Sequence, residues 1–407
     1  MRSTMLKVFV AAVAIAAAIE SAFATSAKSY IQDGLVLHLD AIANNGVDAN
    51  GADVHAALSG ANCWKELVND MYMKRTASKN VTWGAKYVDF AGDVAHTNRF
   101  PAVLQALRSR SLTAEIFLMP KTYKKWGGYL HLGDNGNHRY LTIEMGEDAS
   151  TSPSYKGAFH RVQAYDSTWG NHSDIIIQTN TQYYFNKNVH VALTVDGAGS
   201  HLAFDDGPII HTNPVGSLMP TFDVVKIGGY STYPAAARYY AFRIYNRVLE
   251  DWEFKYNREL DKVRFLDAAN VVMKILGLTA AGDVATHCEA YSGADGDAVT
   301  FTNSNLSSPS NTCTVVGYSH YDENGDLIAS GSGGSYSCTL SKSTMLCSRL
   351  EWNVAVSNLL TVAAQGSGSV SAASGFRDAA VDAVLTAVPD AGSRFVRWEG
   401  SMLPVLN

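Results

Sequence analysis

Asn188 to Ile210, NVHVALTVDGAGSHLAFDDGPII, is the stretch whose reading decides the fold. Val189, Val191, Leu193 and Val195 alternate with Asn188, His190, Ala192 and Thr194. A side-chain period of two marks a strand that buries one face. Asp196-Gly197 supplies a turn, because glycine takes positive φ at no steric cost. His201 to Phe204 is then the return strand, and Asp206-Gly207 turns the chain again. The pattern is a β-meander inside a larger antiparallel sheet.

The same alternation extends outward in both directions. Leu35, Leu37 and Leu39 share a face in Gly34 to Asp40. In Ser111 to Met119, Leu112, Ala114, Ile116 and Leu118 share one face while Thr113, Glu115 and Phe117 share the other. Further strands are expected at Tyr87 to Phe90, Gly127 to Leu132, Tyr140 to Met145 and His160 to Tyr165, with Val224 to Gly229 and Ala241 to Leu249 closing the domain. Ala41 to Leu58, Gly133 to His138 and Gly146 to Lys156 read as loops, and Phe100 to Leu107 as loop or short helix. Strands separated by polar loops, without a sustained 3.6-residue apolar period, predict an all-β sandwich.

Several stretches also carry a family likeness. DGLVLHLDA (33–41), Cys63-Trp64 to Leu67, HVALTVDG (190–197) and KIGGY…ARYYAFRIYNRVLEDWEFKYNRELDKVRF (226–265) together resemble the LamG-like, concanavalin A-like jelly roll of bacterial secreted and surface proteins. The likeness spans Asp33 to Phe265. It implies that Asn246, Arg247 and Leu249 end the sheet and dock a short C-terminal helix, with no role in a binding site. The fold class expected is therefore all-β, a jelly-roll sandwich followed by small β-rich modules.

Beyond Phe265, Leu266 to Thr279 (LDAANVVMKILGLT) places Val271, Val272, Ile275 and Leu276 at helical spacing. It reads either as a linker helix or as the first strand of the next domain. From Cys288 the composition shifts to Ser, Thr, Gly and Asn, with turn signals at Asn324-Gly325 and Gly331 to Gly334. That suits a small β-domain supported by disulfides. Leu359 to Gly400 resembles the divergent internalin-type B-repeat, most specifically in the Pro389-Asp390-Ala391-Gly392 turn and the Phe395/Trp398 pair. Family members normally continue past WEG with further strands, so this unit is expected to be short. The division expected is 1–24 signal peptide, 25–265 jelly roll, 266–285 linker, 286–356 disulfide-bearing β-domain and 357–407 repeat-like module.

Composition narrows the function classes. With 407 residues, 47% hydrophobic and 17% charged, the chain can build two or three globular domains. The formal net charge is −6 and no Lys/Arg-rich run occurs, which argues against nucleic acid as a partner. Arg2 and Lys7, the apolar run Val8 to Ile19 and the small-x-small site Ala22-Phe23-Ala24 read as a secretory signal cut after Ala24. The run falls short of the ~20 apolar residues a membrane helix needs, and no later span occurs. Export permits disulfides. Four clustered cysteines allow three pairings, of which Cys288–Cys313 with Cys338–Cys347 is the simplest topology, leaving Cys63 free and buried.

Carboxylates, metal ligands and aromatics are the groups that could carry chemistry. Retaining glycoside hydrolases need two carboxyls about 5–5.5 Å apart, which one strand face can supply. The nearest approach, Glu144 with Glu147 and Asp148, is broken by Gly146, and Glu115 stands among apolar neighbours. Among LamG-like and pentraxin-like domains Ca²⁺ is often held by loop oxygens. Asp134, Asn135 and Asn137 offer such ligands, although turn formation explains the same residues. Asp322, Asn324 and Asp326 read as a hairpin turn, and the twelve histidines as surface or packed residues. Trp126, Tyr129, Trp169, Tyr230 and Tyr233, in or beside polar loops, are the candidates for stacking on a sugar face. The expected function is non-catalytic binding of a glycan or cell-surface protein. A structural adhesin or stalk is the alternative, and a hydrolase of the same fold the third reading.

Overall fold

The computed structural model describes residues 28–43, 64–69, 72–75, 81–91, 95–97, 111–122, 127–134, 139–145, 160–165, 172–176, 185–195, 200–205, 210–212, 224–230, 233–279, 286–309, 311–379 and 381–399. The chain divides into two compact units, Met1–Asn270 and Val271–Asn407. The predicted signal peptide, Cys63 and the turns at 196–197 and 206–207 lie outside the described residues.

The first unit is an all-β sandwich. One sheet runs Ile210–Thr212, Ser200–Phe204, Val189–Val195, Leu112–Pro120, Ala236–Tyr245, Val88–Ala91, Val81–Trp83, with Leu35–Asp40 also paired to Ala236–Tyr245. The other runs His172–Ile176, His160–Tyr165, Arg139–Met145, Gly128–Asp134, Val225–Ile227, Ala95–Thr97, Tyr72–Arg75, Trp64–Lys65. Leu112, Ala114, Ile116, Leu118, Val191 and Leu193 from the first sheet share one core with Leu130, Leu132, Ile143, Val225 and Ile227 from the second. Each fully buried aliphatic side chain there contributes roughly 1.5–3 kcal/mol.

Val189–Val195 departs from a strand with one buried face. His190 and Ala192, on its polar phase, are buried as well. The cause is the helix Asp251–Leu266, which lies over that side of the sheet. At 16 residues it is longer than the short helix expected. Its buried residues Tyr256, Asn257, Leu260, Asp261, Val263 and Arg264 form a helical stripe. Half of that stripe is polar, so an apolar period does not reveal it. Glu253 accepts the Glu250 N–H at 2.9 Å, and Asp267 closes the other end at φ 57°. Arg247 grips Glu253 through two bonds of 2.6 Å, tying the end of the last strand to the first helical turn.

The second unit centres on a sheet ordered Thr286–Ala294, Asn270–Thr279, Arg349–Leu360, Asn311–Tyr321, Leu306–Ser307. The segment expected as a linker over 266–285 is thus largely the strand Asn270–Thr279, parallel to Arg349–Leu360 with Ile275 opposite Leu350. Val271, Val272 and Met273 are wholly buried. Consecutive buried residues fit a strand covered on both faces as well as they fit a helix, and the β-branched pair favours the strand.

No disulfide joins Cys288, Cys313, Cys338 and Cys347. Cys313 is buried opposite Leu306 and Val356, and Cys338 sits on a separate two-stranded sheet opposite Val299. Apolar packing around Trp352, Tyr336, Phe301 and Met273 builds this core. None of the described residues from 353 to 399 is buried.

Candidate functional site

The two polar faces of the sandwich differ in kind. Beneath the helix lies a sealed cluster of charges. Arg243 and Glu115 are directly cross-strand, and Arg243 Nε donates to Glu115 Oε2 at 2.9 Å. Its Nη1 and Nη2 donate to the two carboxylate oxygens of Asp261 at 2.9 and 2.6 Å, a bidentate fork. Tyr30 Oη donates to Asp261 at 2.8 Å, His190 Nε2 stands 3.2 Å from it, and Asn257 Nδ2 donates to Glu115 at 2.9 Å. Burial alone would raise the Asp261 carboxyl, but the Arg243 guanidinium and the bond to His190 hold it well below the usual carboxylate range.

A second link repeats the device. Arg264 Nε donates to Asp40 at 2.7 Å, and Asp40 also accepts the Ile42 and Ala43 amides. Beside it, burial pushes His38 down to about 4. Glu66 accepts the amides of His38 and Val68, each at 2.8 Å. Every one of these carboxylates is buried. Glu115 and Asp261 are the pair of carboxyls the fold brings together, yet neither is reachable by a substrate. They fasten the helix and the segment around Tyr30 to the sheet.

The other sheet carries an uninterrupted polar row. Lys74 pairs with His96, His96 with Lys226, Lys226 with His131, His131 with Thr142, Thr142 with Gln163 and Gln163 with Asp174. Seven neighbouring strands each supply one position. Lys226 stands between the buried Val225 and Ile227, and His131 between the buried Leu130 and Leu132, so both belong to the face away from the core. His131 and Thr142 form a buried floor, and Lys226 is half-buried. Glu144 opposite Arg161 and Tyr165 opposite His172 flank this row.

The residues singled out in the sequence fall unevenly. Tyr129 is 1% exposed and belongs to the core, so it does not present a stacking surface. Tyr230 and Tyr233 pair in backbone register across a short hairpin, whose Pro234 pairs with Gly128 and so adjoins the polar-row sheet. Asp134 ends its strand opposite Arg139. Trp126, Trp169, Asn135, Asn137 and Glu147 lie outside the described residues. Arg243, Asp261, Tyr30 and Asn257 had no sequence-level role. The one available signal was Glu115 on the polar phase of an otherwise apolar strand.

In the second unit, Gln365, Ser369, Pro389, Arg394, Phe395 and Trp398 help to line a cleft of about 370 Å³. The Phe395 and Trp398 rings lie 5.2 Å apart.

Residues 358–405 match the family described as the Divergent InlB B-repeat domain. The search of curated proteins returned no match. Among solved structures, the chain is similar to the Trypanosoma rangeli sialidase in complex with sialic acid, at 16% identity, TM-score 0.36, over 55% of this chain and 32% of that one. It is similar to the Ruminococcus gnavus IT-sialidase CBM40 bound to alpha2,3 sialyllactose, at 14% identity, TM-score 0.33, over 44% and 96%. It is also similar to the binding domain of Botulinum Neurotoxin DC in complex with SialylT, at 9% identity, TM-score 0.41, over 88% and 93%. The chain spans about a third of the length of the sialidases it matches. These likenesses are distant ones.

Proposed function

We propose that the chain is an exported, non-catalytic binding protein whose jelly-roll sandwich recognises a glycan or a cell-surface partner. The observation that carries this is the contrast between its two polar faces. The carboxylates of the helix-covered face are locked in ion pairs, while the opposite sheet sets polar residues in register on seven strands, the half-buried Lys226 among them, with the Tyr230–Tyr233 hairpin alongside. Hydroxyl-rich ligands are held by such polar groups and aromatic faces, without any acid–base pair. Tethering to a repeat-type module suits weak single sites that gain from multivalency. The first experiment is a glycan array with the full chain, together with a reducing-end assay. Binding without release is expected. Release of reducing ends that Glu144→Gln abolishes would overturn the reading.

A structural adhesin is favoured by one observation. Phe376, Val384, Val388, Phe395 and Val396 in the repeat-like segment are all exposed. Repeat units of this sort stabilise one another through neighbouring faces. A silent glycan array combined with self-association of the full chain would shift the assignment to that role.

A further inference from the structure

We propose that the cleft of the repeat-like module binds a neutral sugar residue, stacked on Phe395 and Trp398 and held at its hydroxyls by Gln365, Arg394 and Glu399. The site belongs to the second unit, goes beyond the sandwich reading above and does not depend on it. Its walls follow from local sequence. Gly368–Val370 and Ala387–Pro389 pair as a hairpin, extended where the Ser371 amide donates to the Thr386 carbonyl and the Asp390 amide to that of Ser367. Pro389-Asp390-Ala391-Gly392 then turns the chain, with Gly392 at φ +85° and the Ser393 amide donating to the Asp390 carbonyl at 2.9 Å. The hairpin and residues 394–399 beyond the turn together line the cleft of about 370 Å³.

Folding does not account for this lining. Phe395 is 45% exposed, and its ring is tilted 52° to that of Trp398 at 5.2 Å, so the two form an open corner. Full burial of a Phe side chain is worth roughly 1.5–3 kcal/mol, and the C–H face of a sugar would recover part of what exposure forfeits. Polar groups stand around the rings. Among the described residues, the side chains of Gln365, Ser369 and Arg394 make no hydrogen bond or ion pair. Arg397 is paired with Glu399, whose carboxylate keeps further lone pairs. That mixture decides the ligand class. A guanidinium only donates and a carboxylate only accepts, whereas a hydroxyl does both. Neighbouring hydroxyls of one sugar can therefore answer Arg394 and Glu399 together. An anionic ligand would meet the Glu399 carboxylate. A proline-rich strand, another guest of exposed aromatics, brings carbonyl acceptors but no N–H at its prolines. The volume lies at the small end of the ~300–1,000 Å³ typical of small-ligand sites, which suits a short saccharide and not a folded partner.

Surface plasmon resonance of the full chain over immobilised dextran, mannan, chitohexaose, polygalacturonate and poly-L-proline tests the proposal. Binding is expected to at least one of the three neutral glycans, nearly independent of salt, with polygalacturonate and poly-L-proline weaker. Trp398→Ala should weaken that binding by about tenfold and Arg394→Gln by about threefold, while Trp398→Phe keeps most of it. Urea midpoints equal to the parent's are expected, because no described residue from 353 to 399 is buried. Tyr230→Ala combined with Tyr233→Ala tests the sandwich separately. Loss of binding that follows this pair and spares Trp398→Ala overturns the cleft proposal and leaves the sandwich reading standing. Loss confined to Trp398→Ala supports the cleft and removes the sandwich reading. Silence towards all three neutral glycans, or tighter capture of polygalacturonate or poly-L-proline, also overturns the proposal.

Discussion

Replacing Arg243 by Met should be among the most damaging single changes in the sandwich, and the structure sets its size. The guanidinium is fully buried and makes three bonds of 2.6–2.9 Å to Glu115 and Asp261, beneath a Tyr30 ring 4.2 Å away. Methionine fills much of the volume but leaves both carboxylates without their cation. Removing one partner of a buried ion pair costs about 3–5 kcal/mol, a large share of the 5–15 kcal/mol that holds a domain together. The pH dependence gives a second reading. In the parent, Asp261 is held below its unfolded value, so its contribution is present above pH ~4 and is lost as pH falls. In Arg243→Met the bond to His190 remains but the guanidinium charge is gone, so burial, the largest influence on that carboxyl, raises it. Its folded form then binds the proton more tightly than the unfolded chain, and stability is lost as pH rises. The gap between variant and parent should widen from pH 4 to pH 7. Urea unfolding at both pH values measures it. Adding Glu115→Gln and Asp261→Asn to the variant should restore part of the loss, because no charge then remains to strand. A single variant within ~1 kcal/mol of the parent at pH 7, or a gap independent of pH, would refute the view that this cluster fastens the helix.

Acid should weaken the sandwich through His38. Its folded value of about 4 against an unfolded 6.5 means stability present above pH ~6.5 and about 3 kcal/mol lost by pH 4, so His38→Gln should flatten that limb of a stability–pH curve. His320, also pushed down to about 4 by burial, should act in the same direction in the second unit. Gly277→Ala should destabilise the second unit by about 1–3 kcal/mol, since Gly277 has φ +75° and an added Cβ would sit 2.6 Å from the Trp352 carbonyl oxygen. Chemical denaturation that finds it neutral would contradict that strand pairing. Tyr129→Ala should cost about 3–5 kcal/mol as a core truncation. Loss of glycan binding at unchanged stability would instead return Tyr129 to the site.

The strands were legible because one face of each is apolar. Leu112, Ala114, Ile116 and Leu118 announce their pairing partners, and the structure sets Leu118 against Val189 and Ala114 against Leu193. What lies on the other face was not legible. Thr113, Glu115 and Phe117 look like a solvent face until a helix about 135 residues later covers them, and that helix hides its contact stripe by building it from Asn257, Asp261 and Arg264. Periodicity registers hydrophobicity, so an interface made of ion pairs leaves no periodic trace. The polar row had the same obstacle in another form. Lys74, His96, Lys226 and His131 are scattered over more than 150 positions, and only the strand order Tyr72–Arg75, Ala95–Thr97, Val225–Ile227, Gly128–Asp134 makes them neighbours. Read along the chain they look isolated, because adjacency across a sheet is a property of topology.

That topology also sets the two outward faces of the sandwich apart. A sheet with both faces buried has no surface to offer, and the helix Asp251–Leu266, held by Arg243 and Arg264, commits the first sheet to that state. On the second sheet the face away from the core is partly covered too, with His131 and Thr142 each 2% exposed and Lys226 half-buried, and its core-facing residues belong to the apolar interior. Residues on that face can vary without touching Leu130, Leu132, Val225 or Ile227, just as loops vary over a constant scaffold. Exchanging Lys226 for another polar residue should leave the fold intact. Exchanging Ile227, one position along and facing the core, should alter whether it folds.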